Sequence, residues 1–156
     1  MKKVEIQKIV DELEMRFMDT TVYYNKITGE ILNVQDDDFR IVEDDDFEKN
    51  IENYPEWQRE HLKKVYDLLY NDIDNYIALP NNFEIKDSDI MEEFIDTISN
   101  NNKKIQLENC MWKKGMYRKF KDKLIEVGLE NEYYKFYDEK LREIAIKWCK
   151  ENNLEY

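Results

Sequence analysis

The chain has one histidine, two cysteines, two prolines, three glycines and two serines in 156 residues, and it lacks any long apolar run. Each scarcity removes a class of function. Imidazole-based acid–base chemistry needs an orienting acid, and Glu60, adjacent to His61, falls on a different helix face. His61 therefore reads as an ordinary helix-rim histidine. Ser88 and Ser99 sit in no glycine-flanked nucleophile elbow. Cys110 and Cys149 are 39 residues apart, with no second ligand at two-residue spacing, which argues against zinc. Two cysteines also make no disulfide scaffold, and they read as small buried hydrophobes in a reducing compartment. Gly29, Gly115 and Gly128 stand singly, so no glycine-rich loop cradles a phosphate. No segment approaches the ~20 apolar residues of a membrane span. The start, MKKVEIQKIVDELEMRF, is like a signal peptide for three residues only before acids interrupt it. The expectation is a cytoplasmic protein with no catalytic residue, no metal site and no cofactor.

Charge is what the chain has in quantity. It carries 24 Lys+Arg against 36 Asp+Glu, a formal net charge of −12. A hydrophobic content of 42% and an aromatic content of 13% still suffice for a core, which excludes a disordered acidic tail. The length favours one domain over residues 1–156. The charge is unevenly spread: residues 101–156 hold 13 basic and 10 acidic side chains, and residues 1–100 hold 11 and 26. Such asymmetry marks candidate interaction surfaces.

Periodicity gives an α+β architecture, with an N-terminal helix and β-hairpin unit followed by a C-terminal array of helices. A helix is expected over 3–18, with Ile6, Ile9, Val10, Leu13 and Phe17 on one face. Residues 20–34 read as a hairpin turning at Thr28-Gly29, with a positive φ at Gly29. Two acidic runs follow, Asp36-Asp37-Asp38 and Asp44-Asp45-Asp46. They read as solvated turns framing a short edge strand at Ile41-Val42. The helix-plus-hairpin subregion thus covers 1–50 and the mainly helical one 55–154. Pro55 opens a helix to about Tyr70, with Leu62, Val65, Tyr66 and Leu69 inward. Tyr76–Leu79 is a strand or a buried connector. A helix with an Asp89/Glu92 capping box comes next, then a loop at 100–102 and a short helix over 105–112. Gly115 breaks that helix, another runs to Val127 and stops at Gly128, and the last spans about 130–151.

The stretch 113–127 runs against the charge of the whole, with Lys113, Lys114, Arg118, Lys119, Lys121 and Lys123 against one acid, Asp122. At ~100° per residue, Tyr117, Phe120, Leu124 and Val127 share the core face, and Lys114, Arg118 and Lys121 share an outer one. Together with Lys113 and Lys119 they form a candidate anion-binding surface, with helix N–H groups exposed behind Gly115. The alternative is a surface of opposite sign. Asp36, Asp37, Asp38, Asp44, Asp45 and Asp46 would dock a basic protein, as an inhibitor, an immunity-type protein or a nucleic-acid mimic does.

Three runs in the C-terminal half resemble a bacterial group of unknown role, uncharacterised protein family 0158. They are Gly115-Met116-Tyr117-Arg118-Lys119-Phe120-Lys121-Asp122, Tyr133-Tyr134-Lys135-Phe136 after Gly128-Leu129, and Ile144-Ala145-Ile146-Lys147-Trp148-Cys149. Ile90–Ile95 and the hairpin Tyr23–Ile31 also fit. Lys113 stands where the family has a first glycine, Met116 replaces a small residue and Tyr133 replaces a tryptophan. The resemblance implies an α+β fold and a bacterial cytoplasmic home, and no chemistry. The functional expectation is a non-catalytic binding or regulatory module using the basic 113–123 segment on an acidic body. Its partner would be a nucleic acid there or a basic protein at 36–46, with no membrane involved.

Overall fold

The computed structural model describes residues 1–156 and shows an α+β chain that divides into two compact units. The first comprises Met1–Glu84 with Ala145–Tyr156, the second Ile85–Ile144.

In the first unit, α1 (Ile6–Glu14) buries Ile9, Val10 and Leu13 at i, i+1 and i+4. It ends four residues before the expected 18. The Arg16 guanidinium caps the Leu13 carbonyl, and Phe17, expected inward, is exposed. Strands β1 (Thr20–Asn25) and β2 (Ile31–Gln35) form the expected antiparallel hairpin. Asn25 organises its turn: the side-chain oxygen accepts from the N–H groups of Ile27 (2.9 Å) and Thr28 (3.1 Å). Gly29 has φ +76°, and a Cβ there would lie 2.8 Å from Lys2 Cγ, so only glycine fits.

The third strand is β3 (Tyr76–Ala78), which pairs antiparallel with β1 and gives the order β2-β1-β3. The strand expected at Ile41-Val42 does not form; these residues lie in helix α2 (Asp36–Val42). Of the two acidic runs that read as solvated turns, Asp36–Asp38 are instead its first turn, where carboxylates satisfy free N–H groups and oppose the helix dipole, whereas Asp44–Asp46 do lie in the exposed turn after it. A short α3 (Phe47–Asn50) follows, and then α4 (Glu56–Tyr70), opened by Pro55. Leu32, Val34, Val42, Phe47, Leu62, Val65 and Leu68 close one core between the hairpin, α2, α3 and α4.

In the second unit, α5 (Asp87–Asp96) starts two residues before the expected cap. Lys86 is its N-cap residue and contributes no side-chain bond, so the Asp89/Glu92 box is not formed. Asp87 and Asp89 serve its first turn by charge instead. Helix α6 (Asn101–Glu108) also starts earlier than expected, because the Asn100 side chain accepts from the Lys103 N–H and turns the supposed loop into a cap. Helix α7 (Met116–Val127) stops at Gly128, φ +73°, and α8 (Glu130–Glu151) matches the expected last helix. Tyr133 on α8 is central to this core, edge-on to Phe94 (5.2 Å between centroids) and Phe120 (5.1 Å). Burial pushes its phenol far above the usual tyrosine range. Residues Ala145–Glu151 of α8 belong to the first unit, where Trp148 Nε1 donates to the Ala78 carbonyl at 2.9 Å. Cys110 and Cys149 are buried thiols, and burial raises the pKa of Cys149. No helix is long and apolar enough to cross a membrane.

Candidate functional site

Residues 109–115 connect α6 to α7 through a turn with two left-handed residues, Trp112 and Gly115. Gly115 has φ +74°, which costs a glycine nothing. Trp112 has φ +60°, a conformation that a bulky L-residue adopts at a cost of roughly 1–2 kcal/mol. The Met116 N–H donates to the Lys113 carbonyl and the Lys119 N–H to the Gly115 carbonyl, closing the turn onto the first turn of α7. The strained tryptophan is not buried in return. Its side chain is 65% exposed, with Nε1 donating to Glu92 at 3.1 Å.

The basic side chains follow this residue in the chain. Lys113 and Lys114 leave the turn itself, and Arg118, Lys119 and Lys121 leave α7; all five are exposed. Lys119 folds back over Gly115, with its Cε 3.9 Å from where a Cβ would stand. Arg118 meets Asp122 only at 3.9 Å, both side chains being largely in solvent. Lys113, Lys114, Lys119 and Lys121 have no ion-pair partner. Lys123 differs. It is half-buried and bonded to Glu126, which raises its pKa and uses its charge internally.

The helix end beneath them is electrostatically incomplete. The first turn of α7 contains no acid, and its N-cap is a glycine without a side-chain acceptor. A helix N-terminus carries about half a positive charge, and cations placed there are unfavourable. The neighbouring helices are treated otherwise: α5 and α8 begin with acids and α6 with a capping asparagine. The end of α7 is thus left positive and is surrounded by further positive charge, an arrangement that an anion relieves.

One residue of the expected core face lies elsewhere. Tyr117 is 51% exposed, because Met116 fills the inward slot and the buried row steps by four, Met116, Phe120 and Leu124. Tyr117 thereby joins Trp112 as an aromatic surface among the lysines.

The acidic run is arranged differently. Asp38 is buried, and its Oδ2 accepts from the Gln35 N–H (2.9 Å) and from His61 Nε2 (2.9 Å). Asp37 pairs with Arg40 and Asp46 with Lys49, each across one helical turn, while Asp44 Oδ1 accepts from the Asp46 N–H. Asp36 and Asp45 remain exposed and unpaired. His61 is therefore not a plain rim histidine: a carboxylate 23 positions away orients it. Sequence spacing gave no sign of this pairing, because only the packing of α2 on α4 creates it. No group of three or more histidine, cysteine, aspartate or glutamate side chains is placed to hold a metal ion.

Residues 56–156 match the family model described as Uncharacterised protein family (UPF0158). The match runs from the start of α4 to the end of the chain and takes in Trp112 and all five cations. The hairpin Tyr23–Ile31, read above as part of the resemblance, lies outside it. No curated protein and no solved structure matches the chain.

Proposed function

The chain belongs to uncharacterised protein family UPF0158, and from that premise we propose that it is a non-catalytic, cytoplasmic bacterial module that binds a polyanion. The polyanion is a single-stranded nucleic acid, and the surface is the turn Trp112–Gly115 with the first two turns of α7. The observation that carries this reading is the set of four unpaired lysines that follow an exposed, backbone-strained tryptophan. Lysines without an ion pair occur elsewhere too, Lys63 and Lys135 among them, so it is the strained, exposed tryptophan beside these four that sets them apart. Strain held at an exposed residue contributes nothing to packing and is characteristic of functional positions. Indole and phenol rings interleaved with cations suit splayed bases and their phosphates.

The overall negative charge does not oppose this reading locally. The second unit holds 12 Lys+Arg and 13 Asp+Glu and is close to neutral, whereas the first holds 12 and 23. The acidic run at 36–46 supports the basic-protein reading less well, since Asp38 is buried and committed to Gln35 and His61, and Asp44 to the Asp46 N–H.

Fluorescence anisotropy with labelled oligonucleotides at low salt tests the proposal. Wild type should bind single strands in preference to duplex. The triple variant Lys114→Glu, Arg118→Glu, Lys121→Glu should lose binding, and its thermal midpoint should stay within a few degrees because all three side chains are in solvent. Equal affinity of the triple variant would remove the site.

A further inference from the structure

A second surface lies wholly within the first unit and has the opposite chemistry. Glu12 of α1, Met15 and Phe17 after it, Asp38 of α2, and Trp57 and His61 of α4 line a concavity of about 490 Å³. No lysine or arginine lines it. Its rim is apolar: Met15, Phe17 and Trp57 are all more than half exposed, Trp57 at 73%, with exposed Met18 next in the chain. Single exposed hydrophobics are ordinary, but several gathered on one concavity mark a contact surface. Tryptophan and methionine are also the residue types that anchor protein interfaces.

The floor of the cleft specifies the sign of its occupant. Glu12 is half-buried and has no cationic partner. Desolvation, and then the neighbouring Asp11, raise its pKa, as expected for a carboxylate that lacks a counter-charge. The second carboxylate, Asp38, accepts from the Gln35 N–H and from His61 Nε2, which carries the shared proton. The two carboxylates of the floor, Glu12 and Asp38, attract positive charge, beside the neutral polar side chains of Thr20, Asn33, Gln35 and Gln58. An anionic ligand finds no lysine or arginine there.

The geometry points to a docking site for an arginine-bearing segment of a partner protein, with the guanidinium received by Glu12 and Trp57 and its apolar neighbours lying on Met15 and Phe17. Guanidinium is the cation that suits this pair of residues. It is planar, stacks on indole, and matches a carboxylate in fork geometry, which a lysine ammonium does not. The apolar rim favours a polypeptide over free arginine, which would leave Met15 and Phe17 uncovered. The inference does not depend on the polyanion reading, since none of its residues lies in the second unit.

The test uses the full chain labelled with 5-fluorotryptophan, whose three ¹⁹F signals are assigned by single Trp→Phe variants. The probes are a Leu-Leu-Arg-Leu-Leu peptide with blocked ends, its citrulline and lysine counterparts, and arginine amide. The expected result is a saturable shift of the Trp57 signal alone. Binding should weaken at least tenfold with citrulline, severalfold with lysine, and about tenfold in Glu12→Gln. Glu12→Gln removes an unpaired charge and should fold. Asp45→Asn, an exposed acid away from the cleft, should leave binding unchanged. Equal binding of the citrulline peptide, an equal effect of Asp45→Asn, or no Trp57 shift at millimolar peptide would overturn the proposal. Arginine amide binding as tightly as the peptide would overturn the partner-protein assignment.

Discussion

At Trp112 the backbone and the side chain make opposite demands. The left-handed turn suits glycine or asparagine, yet the position holds the bulkiest side chain and leaves it in solvent. Replacing it by glycine relieves roughly 1–2 kcal/mol of backbone strain, against which stand about 0.5–1 kcal/mol of added chain entropy and the exposed bond to Glu92. Trp112→Gly is thus expected to hold or raise stability by up to about 1 kcal/mol and to weaken oligonucleotide binding tenfold or more, as loss of a stacking platform does. Urea denaturation together with anisotropy separates the two effects. A stability loss above about 1 kcal/mol would mean that the indole serves the fold. The same scale shows what the sequence could not disclose. The basic side chains of 113–121 were legible because they are clustered in one short stretch and unusual for the chain. Asp38 and His61 were not, since their pairing depends on two helices meeting, and a triple aspartate followed by few apolar residues gives no helical period to read.

Among the elements, long amphipathic segments were read correctly from spacing, and short ones were not. Helices α4, α7 and α8 repeat apolar residues over three turns or more, so one misplaced residue leaves the pattern intact. Helix α2 has seven residues and β3 three, too few for a period to show, and capping alone decides α2. Even within α7 the register had to come from packing: Met116 displaced Tyr117 from the core and thereby created the aromatic part of the candidate surface. This register has a measurable consequence. Leu124 is fully buried, and Ile125, one position on, is 60% exposed. Leu124→Ala should destabilise by about 2–5 kcal/mol, whereas Ile125→Ala should stay within about 0.5 kcal/mol. Chemical denaturation of both variants checks the assignment, and similar losses would show that the outward face, with its lysines, is misplaced.

For the whole molecule, a net charge of −12 implies strong retention on an anion exchanger, which would ordinarily exclude nucleic acid as a ligand. The conflict resolves through screening. At physiological salt, charges separated by more than about 8 Å are largely screened, so a bound strand responds to the lysines it touches more strongly than to the net charge of the chain. The sequence showed the asymmetry between halves, but not that the basic segment lies in a nearly neutral unit, because the 84/85 boundary has no compositional mark. Lower salt lengthens the screening distance and lets the net negative charge repel the strand, while counterion release from the phosphates favours binding. The two effects have opposite salt dependences. If four unpaired lysines each neutralise one phosphate, at about 0.7 per phosphate for a single strand, log K falls with log salt at a slope near −3. That amounts to a loss of about 50-fold between 50 and 200 mM salt. Below about 10 mM, where the screening length reaches about 30 Å, the curve should flatten as long-range repulsion grows. Anisotropy titrations across this range measure both limbs. A salt-independent affinity would show that the contact is not made through the lysines, and a straight line down to the lowest salt would show that the acids never reach the bound strand.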